Sequence, residues 1–254
     1  MIIDRIAKVF EREHVCVWGI GPASQMANEP PGHRPDDVLS GAQSLLCFAL
    51  PIPRAVYRIP THASEAVWRA QNLYYRRLDT LSLDLSALLE ESGERAVPIW
   101  GCMPQDVNDG GEVVGFFNQI RMAEIARIGA IGRNGLLVNS RHGSRLMLGG
   151  VVTTAGLPVM SQPESGETGC PQGCRVCVDG CPVHAISLSK KRVNIMRCLA
   201  YTSRTPLMPR VSFMILARIR PPAAARFMNL RAFDEHTFHV CSQCVALCPL
   251  GEES

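Results

Sequence analysis

The sequence has no run of apolar residues that approaches the roughly eighteen needed to cross a bilayer, so we expect no transmembrane helix. The first twenty residues lack the apolar region, the small-residue cleavage site and the twin arginines of export signals. Apolar residues make up 46% of the 254 residues and charged residues 19%, a balance that argues against disorder. These absences predict a folded cytoplasmic protein with a substantial core.

The spacing of apolar residues in the first part of the chain predicts alternating helices and strands, which indicates an α/β architecture. Helices are expected over residues 2–10, 62–92 and 115–128, the second ending at Gly93. Strands are expected over residues 14–18, 44–50, 95–100, 135–139 and 145–154, with a turn at 19–22. The polar stretch 161–169 is the predicted linker, so we divide the chain into an α/β domain, 1–160, and a cysteine-rich domain, 161–254.

Eight of the eleven cysteines lie between Cys170 and Cys248. In a protein of a reducing compartment, clustered cysteines indicate metal or redox chemistry rather than disulfides. Three gaps of three, two and three residues separate the first four of these cysteines, and Pro182 follows them. This is close to the bacterial ferredoxin pattern. Near the C-terminus, a Cys-x-x-Cys-x-x-x-Cys-Pro run repeats its ending.

Eight thiolates with this spacing predict two 4Fe–4S clusters in a ferredoxin-like module, because the cysteine before each proline ligates the other cluster. The predicted ligands are Cys170, Cys174, Cys177 and Cys248 for one cluster, and Cys181, Cys198, Cys241 and Cys244 for the other. A single cluster, or structural zinc on the paired Cys-x-x-Cys motifs, is the alternative. Of the other cysteines, Cys16 and Cys47 are expected in the core, and Cys102 follows a predicted strand.

A glycine-rich segment precedes the cysteines. Four glycines within fifteen residues, starting at Gly129, let a ligand approach the backbone, although a glycine-rich turn is structural more often than not. The run Gly-x-x-Gly-Arg-Asn-Gly-Leu-Leu-Val, the Arg-x-Gly-Ser at Arg141 and the order of the eight cysteines resemble the core of epoxyqueuosine reductases and reductive dehalogenases. The resemblance begins near residue 35 and is strongest over residues 129–250.

This resemblance implies a base-off cobalamin in a nitroreductase-like α/β domain, to which the two clusters pass electrons. The chain would then be an oxidoreductase acting on a small-molecule or tRNA-borne substrate, by chemistry like dehalogenation or epoxyqueuosine reduction. The implied cofactor pocket comprises Gly129, Gly132, Arg133, Asn134, Arg141 and Gly143. Arginine offers a planar donor fork for the oxygens of such a cofactor. A flavin in the same pocket is an alternative, and nitroreductase-like domains often pair, which leaves a homodimer open.

The chain departs from the family where a proton donor is expected. Epoxyqueuosine reductases carry an acid shortly before the helix that leads to the glycine turn, and this chain has Gly115 and Phe116 there. The catalytic residue is therefore unassigned, and the weak candidates are Asp106, Asp109 and Glu112. The missing acid keeps open a second function, that of an electron-transfer protein or reductive activator of a corrinoid partner, with no catalytic cofactor of its own.

One long segment lacks acidic residues. Between Gly180 and Phe233 the sequence has ten Lys and Arg and no Asp or Glu, whereas the other 200 residues carry a net charge of −7. The basic residues are Lys190, Lys191, Arg192, Arg197, Arg204, Arg210, Arg218, Arg220, Arg226 and Arg231. Four interpretations stand: a solvated surface, a docking surface for an acidic electron donor such as ferredoxin or flavodoxin, an RNA-binding surface, and a membrane contact.

Overall fold

The computed structural model describes residues 2–61, 63–101, 105–107, 109, 113–161, 169–188, 192–202, 207–224 and 241–251. The helices are α1 (Ile2–Arg12), α2 (Pro35–Val38), α3 (Ala63–Glu90), α4 (Gln119–Ile125), α5 (Val176–Asp179), α6 (Ile195–Thr202), α7 (Leu207–Ile219) and α8 (Gln243–Ala246). The strands are β1 (Val17–Pro22), β2 (Ser44–Pro51), β3 (Ala96–Ile99), β4 (Gln105–Val107), β5 (Val113–Gly115), β6 (Ala130–Ile131), β7 (Leu137–Val138), β8 (Leu146–Thr153), β9 (Met160–Ser161), β10 (Ile186–Ser187) and β11 (Arg192–Val193).

A five-stranded sheet forms the centre of the described structure, in the order β3-β8-β2-β1-β9. Every neighbouring pair in it is antiparallel. The two longest strands, β2 and β8, pair along their full length from Ser44 opposite Thr153 to Pro51 opposite Leu146. The predicted mixed α/β fold is therefore confirmed, with helices packed on both sides of this sheet.

Strand β2 shows why the sheet needs two layers of helices. Side chains alternate between the two faces of a strand. Accordingly Leu46, Phe48 and Leu50 join the core under α1 and α3. The intervening residues, Leu45, Cys47 and Ala49, join the core under α4. Cys47 is fully buried there, as predicted.

The predicted turn at residues 19–22 is wrong, because those residues form most of β1. The two glycines of β1 are needed for close packing rather than for a turn. A Cβ at Gly19 would lie 2.0 Å from the Ala126 carbonyl oxygen, and one at Gly21 would lie 2.5 Å from the Ile125 side chain. Glycine thus lets the backbone of α4 rest directly on the sheet.

Strand β1 begins at Val17 rather than at residue 14, because the turn after α1 continues through His14, which has a positive φ of 54°. Cys16 precedes the strand and is exposed, so its predicted place in the core is wrong.

The predicted helix over residues 115–128 is shorter in the structure. It begins after Asn118, whose side chain accepts a hydrogen bond from the Arg121 amide at 3.1 Å, and it ends at Ile125. Gly115 instead ends β5, which pairs with β4. The long helix α3 is confirmed, and Gly93 beyond it has a φ of +88°.

Three predicted features fall beyond the described residues: nearly all of the linker (residues 162–168), Cys102 and Glu112. None of the helices in the described ranges is long and apolar enough to cross a membrane.

We expect Gly19→Ala to lower the free energy of unfolding by about 2–3 kcal/mol, since the added methyl group has to displace the α4 backbone. Urea denaturation of the purified protein measures the change. Gly156→Ala is the matched control, because its Cβ meets only the flexible end of Gln43, at 3.1 Å. Equal stability of the two variants would contradict the packing role assigned to Gly19.

Candidate functional site

The two cysteine loops of the C-terminal part pack against each other through one close contact. Short helices α5 and α8 lie within the loops and touch. A Cβ at Gly180 would lie 2.4 Å from the Leu247 side chain, so glycine makes room for the opposite loop. The cysteines of both loops are thereby held on neighbouring elements.

Five cysteines surround one cavity with about 300 Å³ of empty space, part of it open to solvent. Its wall also includes Asn134 and Val138, which precede the predicted linker, so the cavity lies where the α/β part of the chain meets the cysteine-rich part. The lining residues are Cys170, Cys174, Cys177, Cys244, Cys248, Pro171, Pro249, Leu250, Asn134 and Val138.

The electrostatic environment of Cys177 links it to the other members of its predicted ligand set. Burial raises the pKa of Cys177, and the neighbouring thiols Cys170, Cys174 and Cys248 raise it further. The structure therefore brings together the four cysteines that sequence spacing assigned to one cluster.

The other four cysteines also form a group. Burial, followed by Cys198 and Cys241, raises the pKa of Cys244 to about 12. Burial also raises the pKa of Cys241, with further contributions from Cys198 and Cys181. Cys244 additionally interacts with Cys177 and lines the cavity of the first group, which places it between the two groups.

Backbone amides donate to two of the sulfurs. The Arg133 amide lies 3.4 Å from Cys170 Sγ, and the Ala185 amide lies 3.2 Å from Cys181 Sγ. Such bonds stabilise the charged thiolate. The spacing after Cys170 is irregular for a ferredoxin, yet the structure gives this sulfur both a donor and a place in the cavity wall.

The thiols surround space rather than meet at a point. In the described part of the chain, no group of three or more His, Cys, Asp or Glu is arranged to hold a single metal ion. A tetrahedral zinc ion needs its sulfurs about 2.3 Å from one centre.

Local packing accounts for the first two glycines of the glycine-rich segment. The β6–β7 hairpin folds back on them, so that a Cβ at Gly129 would lie 2.7 Å from the Val138 oxygen. One at Gly132 would lie 2.4 Å from the Val138 side chain. The expectation that these glycines open space for a ligand thus has a competing explanation in the hairpin itself.

Gly143 has a different role, because it contacts the C-terminal cysteine loop. Its φ is +59°, and a Cβ there would lie 2.5 Å from the Leu250 oxygen and 3.3 Å from Cys248 Sγ. Gly251, with φ +73°, lies on the other side of this contact, and its amide donates to the Ser140 oxygen at 3.0 Å. The turn at residues 139–143 therefore positions Cys248.

Three polar groups near this turn are buried without a hydrogen-bond partner in the described structure: Arg133 Nε, Asn139 Nδ2 and Ser144 Oγ. Asn139 is fully buried and Ser144 is 3% exposed. Buried polar groups nearly always have partners, so these three are suited to hydrogen-bond a polar ligand or water. Arg141, also predicted for the pocket, is exposed on the same turn.

A further set of residues, which sequence reasoning missed, lies behind the C-terminal loop. Arg54 donates to the Gly251 oxygen at 3.0 Å, and Arg145 donates to the Ile52 oxygen at 3.0 Å. Tyr57 is 9% exposed, and burial raises its pKa, with Arg145 and Cys244 among the charges acting on it. About ninety positions separate Arg54 from Arg145, and no local motif signals their meeting.

Two of the candidate acids, Asp106 and Asp109, lie on the β4–β5 hairpin. Asp106 is directly opposite Val114, next to Gly115, where the family resemblance places an acid. Its side chain is exposed and accepts from the Val107 amide at 2.7 Å. Asp109 is also exposed.

Helix α7 packs against the same hairpin through Val107 and exposes both apolar and basic side chains on its other side. The exposed aliphatic residues are Val211, Met214, Ile215 and Ile219. In the described part of the basic segment, Arg197, Arg218 and Arg220 are exposed. Lys190, Lys191, Arg204, Arg226 and Arg231 lie outside the described residues.

We expect Gly143→Ala to displace the C-terminal loop, because the new methyl group would overlap the Leu250 carbonyl in a strained backbone conformation. Alkylation of Cys248 in the iron-free protein, followed by peptide mass spectrometry, should become several-fold faster. Gly173→Ala is the control, since Gly173 also has a positive φ, +74°, but open space around it. If Cys248 is alkylated equally fast in both variants, the overlap with Leu250 is not what positions the C-terminal loop.

Comparison with known proteins finds sequence relatives called epoxyqueuosine reductase. The protein of Synechococcus sp. (strain RCC307) is 31% identical over 164 residues, which are 65% of this chain and 47% of that protein. The protein of Lactococcus garvieae (strain Lg2) is 37% identical over 86 residues, which are 34% of this chain and 23% of that protein. The chain thus matches less than half of the length of these two relatives. No protein-family profile matches it.

Solved structures with the same fold are epoxyqueuosine reductases and reductive dehalogenases. The Bacillus subtilis epoxyqueuosine reductase, with its catalytic aspartate loop swung out, has a TM-score of 0.62 at 17% identity, covering 99% of this chain and 66% of that one. An epoxyqueuosine reductase bound to a modified tRNA stem loop has a TM-score of 0.59 at 18% identity, covering 98% of this chain and 72% of that one. A catabolic reductive dehalogenase bound to 3-bromo-4-hydroxybenzoic acid has a TM-score of 0.56 at 13% identity, covering 97% of this chain and 39% of that one.

The described structure therefore has the fold shared by two groups of oxidoreductases. The sequence relatives narrow this resemblance to the epoxyqueuosine reductases. The family resemblance read from the glycine and cysteine motifs is confirmed.

Proposed function

We propose that this protein is a cobalamin-dependent iron–sulfur reductase that holds two 4Fe–4S clusters. The observation that carries the proposal is the cysteine-lined cavity between the α/β part and the cysteine-rich part of the chain. The ligand sets are those predicted from spacing, and the grouping of thiols around Cys177 and Cys244 supports them. The division into an α/β domain, 1–160, and a ferredoxin-like domain, 161–254, is part of the same proposal.

The donor set fits clusters better than it fits zinc. The thiols are distributed around a cavity instead of converging on one centre, and amides face the sulfurs of Cys170 and Cys181. Amide-to-sulfur bonds and burial are the means by which proteins adjust cluster potentials. These residues would bind the clusters and partly exclude water from them.

The residues predicted to face cobalamin fit a polar ligand in part. Unpaired polar groups of Arg133, Asn139 and Ser144 suit a ligand rich in amides, and Asn134 lines the cavity. The proposed pocket set also keeps Gly129, Gly132, Arg141 and Gly143, of which Gly143 contacts Cys248. When bound, cobalamin would supply a low-valent cobalt centre able to act as nucleophile or reductant. A flavin in this pocket is the weaker proposal.

The substrate and partners follow from the resemblance and the charge distribution. The proposed substrate is tRNA-borne or a small molecule, and the tRNA-bound relative supports the first class. The exposed arginines of the basic segment suit an acidic electron donor of the ferredoxin or flavodoxin kind, because opposite charges steer encounter. Pairing of two copies and a cytoplasmic location complete the proposal, the latter because free thiols persist in reducing compartments.

A second candidate function is that of an electron-transfer protein or reductive activator of a corrinoid partner. Two observations favour it. Gly115 and Phe116 stand where an acid is expected, and the spaces beside Gly129 and Gly132 are filled by the hairpin itself. In this case the clusters would reduce a partner protein, without turnover of small molecules.

Quantification of iron, sulfide and cobalt after anaerobic purification, together with a visible spectrum, tests the proposal. We expect about eight iron atoms per chain and a corrinoid spectrum on addition of cobalamin. Cys248→Ser should lower the iron to about four atoms per chain, because one of two clusters loses a ligand. Cys16→Ser is the control, since Cys16 is exposed and outside the cavity.

Two negative results are informative. Clusters without any corrinoid binding would refute the cobalamin enzyme and support the electron-transfer protein. Bound zinc instead of iron and sulfide would refute both functions.

We expect Asp106→Asn to lower the turnover of an epoxyqueuosine-containing stem loop about 10²–10³-fold, if Asp106 replaces the missing acid. The reason is its position opposite Val114, beside the place where the acid is expected. Turnover is measured with a chemical reductant, and cluster content is checked in parallel. Asp109→Asn is the matched control on the same hairpin, and an unchanged rate for Asp106→Asn would remove Asp106 from the reaction.

A further inference from the structure

Three arginines gather behind the C-terminal cysteine loop. Arg145 stands immediately before β8, and Arg54 and Arg58 belong to the 3₁₀ helix Arg54–Arg58, which packs against α8. Arg145 is two residues from Gly143, whose Cα faces Cys248 Sγ at close range. Arg54 donates to Gly251, three residues beyond that sulfur.

In the described part of the chain, the charges that act on Arg145 come from two arginines, a tyrosine and a thiol. Among the described residues, the charges acting on it are those of Arg54 and Arg58, which repel it, and of Tyr57 and Cys248, which attract it when ionised. Its guanidinium donates to the neutral carbonyl of Ile52. Partial burial and two like charges lower the pKa of Arg145, although a guanidinium remains charged in proteins.

Arg145 is half-buried, and a half-buried charge next to like charges is unfavourable unless an anion lies close by. Of the two described acidic groups that act on it, Tyr57 and Cys248, the thiol belongs to the proposed ligand set with Cys170, Cys174 and Cys177. A cubane with four thiolate ligands is anionic, and it becomes more so when it accepts an electron. Arg145 and such a cluster would therefore stabilise each other.

We propose that Arg145, placed beside Cys248, supplies the positive charge that compensates this cluster and raises its reduction potential. The inference rests on the proposed function, because it assumes a cluster on these four cysteines. Net charge near a cluster is one of the determinants of its potential. A fixed cation favours the reduced form, since Coulomb attraction grows with the added negative charge. Arg145 would thereby make electron entry into this cluster easier.

The experiment is a redox titration of the reconstituted full-length protein, followed by electron paramagnetic resonance. Arg145→Leu removes the charge and should make reduction of one cluster about tenfold less favourable, or roughly 59 mV more negative for one electron. Arg145→Lys keeps the charge and should stay close to the wild-type potential. Arg95→Leu is the matched control, because Arg95 also donates to a carbonyl, that of Ser40, but lies at the other end of β8.

Each outcome decides the inference separately from the function. A wild-type protein without cluster signals refutes the proposed function. A wild-type protein with clusters, joined by an Arg145→Leu protein of unchanged potential, overturns the role of Arg145 alone. If Arg145→Leu loses its clusters, Arg145→Gln replaces it and is judged in the same way. Cluster loss in the neutral variants with retention in Arg145→Lys supports the charge role, and loss in all of them overturns it.

Discussion

The contact between the turn at residues 139–143 and the C-terminal cysteine loop is the constraint on which the candidate site depends. Gly143 and Gly251 both have positive φ, and a Cβ on either would lie within 2.6 Å of backbone oxygen in the opposite segment. Glycine alone accepts that conformation and that approach without strain. This contact places Cys248 beside Cys170, Cys174 and Cys177. The cavity therefore forms only when the α/β part and the cysteine-rich part of the chain are in contact.

Around the cavity lie groups whose partners the described residues do not supply. On one side are the buried polar atoms of Arg133, Asn139 and Ser144, and on the other is the half-buried guanidinium of Arg145, with Arg54 and Arg58 as neighbouring charges. Both kinds of group cost free energy when they are buried without a partner. An amide-rich ligand and an anionic inorganic core would satisfy them respectively. Ligand binding and folding are therefore expected to be coupled, since the site is least favourable when empty.

The hairpin β4–β5 places a carboxyl group beside the position where the family resemblance leads us to expect an acid. Gly115 and Phe116 stand at that position, and antiparallel pairing brings Asp106 opposite Val114, directly before Gly115. Packing of Val107 against α7 holds that strand from behind. A carboxyl group therefore remains available near the expected place.

Periodicity and spacing determined much of this protein from the sequence. Helix α3, strands β2 and β8 and the two cysteine-containing loops follow from local patterns, because each depends on neighbours within a few residues. The strand character of Gly19 and Gly21 did not, since glycine usually indicates a turn and only the approach of α4 explains it. Only the tertiary structure placed Arg54 and Arg145 beside the cysteine loop. The two residues lie about ninety positions apart, and the contacts that hold them join segments remote in the sequence.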